Sequence, residues 1–213
     1  MEVVGDLEYR GKLGNLVFYT MNGRTFARRV RIPGKKRKPR TEGQRGMARR
    51  FAIVQKMYSF YKEEISPDIW RLAGKAAGRR GNMLFTSLNS GCFDGEGRMA
   101  DPEAFHFSAG ELQLPRELRV EALGGGRFRA TWEDERALSS AAPSDELRAG
   151  VAYDAEPLGI CWAESASGRR GDGGGEFALD GRGDTGAHVY LFFARADGTA
   201  YSPSRYFHVS LEG

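Results

Sequence analysis

Cysteine is scarce: Cys92 and Cys161 are the only two in 213 residues, far apart, with no second Cys or His at a ligand spacing. A disulfide framework and a Cys-based zinc finger are excluded, and both residues read as buried free thiols. Long apolar runs are missing too, since no stretch approaches the roughly eighteen residues that a membrane-crossing helix needs. The opening "MEVVGDLEYRGKLGNLVFY" has no basic segment leading into an apolar one. A cytoplasmic protein is therefore expected, or one assembled into a particle from the cytoplasm, without a membrane partner.

The signatures of enzymes are also absent. Neither G-x-S-x-G, nor the P-loop, nor the dinucleotide fingerprint occurs, and the glycine clusters "ALGGGRF" and "GDGGGE" read as turns. His106, His188 and His208 are scattered, and none has a carboxylate or second histidine at helical ligand spacing. Glu133 with Asp134, and Asp154 with Glu156, are paired carboxylates that nothing places in a cleft. We therefore expect a non-enzyme: no catalytic residue, no metal ligand, no cofactor and no small-molecule substrate.

What the chain has in quantity is glycine, 29 residues, and positive charge gathered in one place. Residues 24–50 hold twelve Lys or Arg against the single acid Glu42, although the whole chain is only +4. Residues 107–213 carry eleven basic and seventeen acidic side chains, so the two ends differ in sign. Packed like charges repel by about 1 kcal/mol per close pair in water, which favours binding of an anionic partner. The candidate polyanion-binding residues are Arg28, Arg29, Arg31, Lys35, Lys36, Arg37, Lys38, Arg40, Arg45 and Arg49. The free N–H groups after Thr41 are a further candidate anion site at a helix start.

The pattern along the chain predicts α+β architecture. Alternation over residues 15–21 and 24–32, joined by Asn22-Gly23, predicts a β-hairpin. Pro33 and Pro39 bracket the basic run, which is expected to be an extended loop. Thr41 and Gln44 have the spacing of a capping box. The helix they start places Met47, Phe51, Val54, Tyr58, Tyr61 and Ile65 on one apolar stripe, expected to be core. "SPDIW" starts a second helix carrying Ile69, Trp70, Ala73 and Ala77 inward and stopping at Gly78, and "NMLFTSLNSG" a third. Seven short β runs follow Leu112, the signature of a β-sandwich. The expected division is a basic hairpin-and-helix module over 1–106 and a sandwich over 107–213.

Three segments, "GKLGNLVFYTMNGRTFARRV", "PRTEGQRGMARRFAIVQKM" and "RGNMLFTSLNSG", together resemble an uncharacterised bacterial family of unknown function. The matching positions are Gly11, Lys12, Gly14, Asn15, Pro39, Thr41, Gln44, Arg49 or Arg50, Phe51 and Asn82 to Asn89. The helix motif is similar to segments of prophage-encoded structural proteins, which implies a role in a virion or mobile element. The C-terminal half resembles a fibronectin type III or immunoglobulin-like sandwich, with Trp132 closing "FRATW" as a second-strand tryptophan and "VYLFFARADGTAYSPS" as the last hairpin. Neither resemblance brings catalytic residues.

Two functions follow as expectations. One is a structural, assembly or scaffold protein whose basic module docks on an anionic surface, its partners being further copies of itself or other protein subunits. The other is a nucleic-acid-binding protein whose residues 24–50 contact phosphates without reading bases.

Overall fold

The computed structural model describes residues 10–21, 23–30, 39–134, 141–180 and 183–211. It is α+β, with three α-helices and antiparallel sheets of three, four and three strands. The chain divides into two compact units, 1–39 and 40–213.

The first unit is a three-stranded sheet of β1 (Gly11–Leu13), β2 (Leu16–Met21) and β3 (Arg24–Arg29), in that order. Met21 pairs with Arg24, so the predicted hairpin closes on two residues; Asn22 itself lies outside the described residues. A second tight turn, Gly14-Asn15, joins β1 to β2 with Leu13 opposite Leu16. None of this unit's described residues is fully buried. The loop expected over 33–40 lies mostly outside the described residues.

The second unit begins with α1 (Glu42–Phe60), which runs into a π-helical turn, Tyr61–Ile65. The capping box forms as predicted: the Gln44 N–H donates to Thr41 Oγ1 at 3.3 Å, and the Thr41 N–H to Gln44 Oε1 at 3.1 Å. Helix α2 (Ile69–Ala76) follows, its first amides from Asp68 and Ile69 donating to Ser66 Oγ. It ends at Ala76, with Ala77 as its cap and Gly78 at positive φ just beyond, and α3 (Gly81–Asn89) completes the helical layer. Ala77, expected to point inward, is exposed at the end of α2.

Seven strands occupy the seven predicted runs: β4 (Arg116–Gly124), β5 (Arg127–Glu133), β6 (Glu146–Tyr153), β7 (Glu156–Trp162), β8 (Gly174–Ala178), β9 (Gly186–Ala194) and β10 (Arg205–Ser210). They form one sheet of order β4-β5-β8 and another of order β10-β9-β6-β7. Phe128, Ala130, Trp132 and Phe177 of the first sheet share one buried cluster with Leu147, Val151, Leu191 and Phe193 of the second.

The four-stranded sheet is buried on its other face as well. Ala152, Ile160, Tyr190 and Phe192 belong to a second cluster, built with Val54, Tyr61, Trp70 and Phe85 from the helices and Phe105 and Phe107 from the connection. Phe107 stacks on Tyr190 at 5.7 Å and meets Tyr61 edge-on at 5.3 Å, each aromatic pair adding about 0.5–1.5 kcal/mol beyond its burial. Its ring lies over Gly150, where a Cβ would collide with it. The Trp162 indole N–H donates to the Ile65 carbonyl at 3.0 Å, and the Tyr190 hydroxyl to the Pro102 carbonyl at 2.8 Å.

The helices therefore share a core with the strands of the C-terminal half. They pack as a further layer on the four-stranded sheet, within the compact unit 40–213. Three short helices cannot enclose Trp70, Phe85 and Tyr61 by themselves, and the sheet supplies the missing wall.

Candidate functional site

The basic residues reach the surface on two different units. Arg28 and Arg29 end β3 in the first and are exposed. Arg40, just ahead of the Thr41 cap, and Arg45 and Arg49 on α1 are exposed in the second. Arg31, Lys35, Lys36, Arg37 and Lys38 lie outside the described residues. Arg45 is already engaged, its guanidinium 2.8 Å from Glu42, the one acid of the basic segment. The pair is exposed and of small energetic weight.

The anion site expected at the start of α1 is altered by its own cap. The Thr41 hydroxyl takes the Gln44 amide, and Glu42 brings a negative charge into the first turn. The positive end of the helix is thus already met from within the chain.

The apolar stripe of α1 divides in two. Val54 and Tyr61 are buried, as is Met57 beside the stripe, and Tyr58 is half-buried, but Met47 is 72% exposed and Phe51 58%. The expectation that Met47 and Phe51 are core is corrected: the front turns of α1 extend past the cluster that buries its back half. Beside them Gly46 lies close to Gly95, where a Cβ at Gly46 would stand 3.7 Å from the Gly95 Cα.

A second constellation joins residues that the sequence leaves scattered. His188 on β9 lies directly opposite His208 on β10, and Asp154 follows the end of β6, the strand on the other side of β9. His188 Nε2 is 3.3 Å from Asp154 Oδ1, and His208 Nε2 is 3.1 Å from both carboxylate oxygens. The ligand atoms of all three lie within 4.8 Å of one another. The other nitrogen of His188, Nδ1, is 3.0 Å from the Tyr206 hydroxyl. Burial pulls the His188 imidazole below its ordinary pKa, the Asp154 carboxylate acts in the opposite sense, and His208 adds a further lowering. Gly186 passes beneath, where a Cβ would lie 2.5 Å from Asp154 Oδ2 and 3.0 Å from the His208 ring.

Helical spacing rules could not find this group, because its members meet through strand register. The available signal was "HVYLFFAR" followed by "SRYFHVSL": two strands joined by a short connection, each with a histidine in its outer part. The third histidine has a structural role at its backbone, where Asn89, fully buried, donates to the His106 carbonyl and accepts from the His106 N–H.

A groove of about 580 Å³ opens along β7 and β8, between Phe60, Cys161, Trp162 and Leu179. Its charged lining residues, Glu64, Glu164 and Asp180, are exposed and acidic. Among the described residues no helix is long and apolar enough to cross a membrane. No protein-family model matches this chain, and neither does any curated protein.

Proposed function

We propose that the protein is a non-enzymatic assembly or scaffold subunit, of the kind made by prophages and mobile elements, whose basic N-terminal third docks on the acidic C-terminal half of another copy. One observation carries this reading: the segment that concentrates positive charge also exposes large apolar side chains. Leu13, Tyr19 and Met21 are solvent-accessible on the small sheet that carries Arg28 and Arg29, and, separately, Met47 and Phe51 are solvent-accessible on the helix that carries Arg45 and Arg49. Apolar area set among charges of one sign is the composition of a docking surface. A three-stranded sheet with no fully buried residue is also marginal in isolation, so a partner would stabilise it.

The body fits the role of a scaffold. Strand orders β4-β5-β8 and β10-β9-β6-β7, with the buried Trp132 on the second strand, support the fibronectin type III-like reading. Such a sandwich offers the acidic surface and a strand edge at β7, which ends the four-stranded sheet.

A second reading, nucleic-acid binding, is favoured by one feature of the small sheet. Tyr19, 40% exposed, stacks on Phe26 at 5.7 Å on the same sheet as Arg28 and Arg29, an arrangement that suits an unpaired base beside its phosphates.

Light scattering of the purified protein at low and high salt, with and without a random duplex and a single strand, separates the two. Assembly requires concentration-dependent oligomers at low salt that dissociate at high salt without nucleic acid, and that Arg45→Glu with Arg49→Glu weakens. A mass increase only with nucleic acid selects the second reading. A monomer under every condition overturns both.

A further inference from the structure

We propose that Asp154, His188 and His208 form a binding site for a divalent metal ion of the zinc class, held between the ends of three adjacent strands.

The geometry is that of a tripod. Around a tetrahedral ion bound at about 2.1 Å, ligand atoms lie about 3.4 Å apart. Here His188 Nε2 and His208 Nε2 stand 3.3 and 3.1 Å from Asp154 Oδ1. Two imidazole nitrogens and a carboxylate oxygen are a borderline-soft donor set, suited to zinc and its neighbours rather than to calcium or magnesium.

Two further features belong to a metal site more than to a simple ion pair. The first is orientation: with Nε2 on the ion, His188 Nδ1 carries the proton and donates it to the Tyr206 hydroxyl, the outer-shell contact that fixes a ligating histidine. The second is the space left at Gly186, since a Cβ on that strand would occupy the position of the Asp154 carboxylate. The third strand thus comes close enough for all three ligand atoms to converge. His188 is mostly covered, whereas His208 and Asp154 remain open to solvent, so the ion can enter and a fourth position stays available to water.

The ion would clip β10 to β6 across β9. Because the unfolded chain holds no such tripod, binding raises the melting temperature, and above the dissociation constant the rise grows with the logarithm of metal concentration.

The test uses untagged full-length protein stripped with chelator, then titrated with zinc by calorimetry and with cobalt(II) by visible absorption. One ion per chain is expected, with the intense visible bands of low-coordinate cobalt and a rise in melting temperature. His208→Gln and Asp154→Asn should each weaken zinc binding by more than the roughly 10- to 100-fold that an outer-shell change costs, and Tyr206→Phe should cost about that outer-shell amount. Metal-free melts of His208→Gln and of the wild type should coincide, because His208 is half exposed, and that agreement separates loss of a ligand from loss of fold. Absence of saturable zinc binding, or binding that survives both His208→Gln and Asp154→Asn, would overturn the proposal.

Discussion

Arg170 is the most improbable residue of the fold, a guanidinium with no exposed surface. Its Nε lies 3.3 Å from Asp145, also fully buried, while one terminal nitrogen donates to the Gln113 carbonyl at 2.6 Å. Its Cζ sits 4.5 Å above the Phe193 ring, and its own carbonyl accepts from the Trp132 indole at 2.8 Å. The side chain thus ties the loop ahead of β8 to the segments ahead of β4 and β6, while the Arg170 carbonyl ties that loop to the strand that carries Trp132. Arg170→Met would leave Asp145 as an uncompensated buried charge, and we expect it to cost about 3–5 kcal/mol in urea denaturation. Adding Asp145→Asn should recover part of that loss, because the second change removes the stranded charge. "SGRRGDGGGE" reads in the sequence as a glycine-rich loop, and nothing local marks which of its arginines turns inward. Arg169 stays exposed one position away, and the difference is made by Asp145 waiting across the core.

Helix α1 shows how one uniform pattern can meet two environments. The capping box and the three-and-four spacing are local properties, and both the helix and its start appear where the sequence places them. Burial is not local. Met57, outside the predicted stripe, is 5% exposed, whereas Phe51, on it, is 58% exposed. Met57→Ala should therefore cost about 2–5 kcal/mol of stability, and Phe51→Ser should stay within about 0.5 kcal/mol, both read by chemical denaturation. The same pair of variants bears on assembly: Phe51→Ser should weaken salt-sensitive oligomers at unchanged monomer stability. Strand β9 offers the complementary case. "GAHVYLFFA" is almost continuously apolar instead of alternating, the pattern of a strand covered on both faces, and His188 is its only residue that is not fully buried.

At the scale of the molecule the decisive feature is that second covered face. Tyr190, Phe192 and Trp162 are core only while the helices lie on them. Residues 40–213 should melt in a single cooperative transition, whereas a fragment of residues 107–213 should expose that face, bind a hydrophobic dye and aggregate. Cooperative melting of the shorter fragment would show that the two sheets need no helical cover. The seven strands, the three helices, the capping box of α1 and the segregation of charge were all legible in the chain, because each rests on residues a few positions apart whose backbone preferences and periodicity act locally. Which face of a strand lies under a helix, which end of α1 is bare, and that Asp154, His188 and His208 share one point in space were decided by the tertiary structure alone. Those facts depend on strand register and layer stacking, which couple residues 54 positions apart, as in His208 to Asp154, or 97 apart, as in Trp162 to Ile65, through contacts that no local spacing encodes.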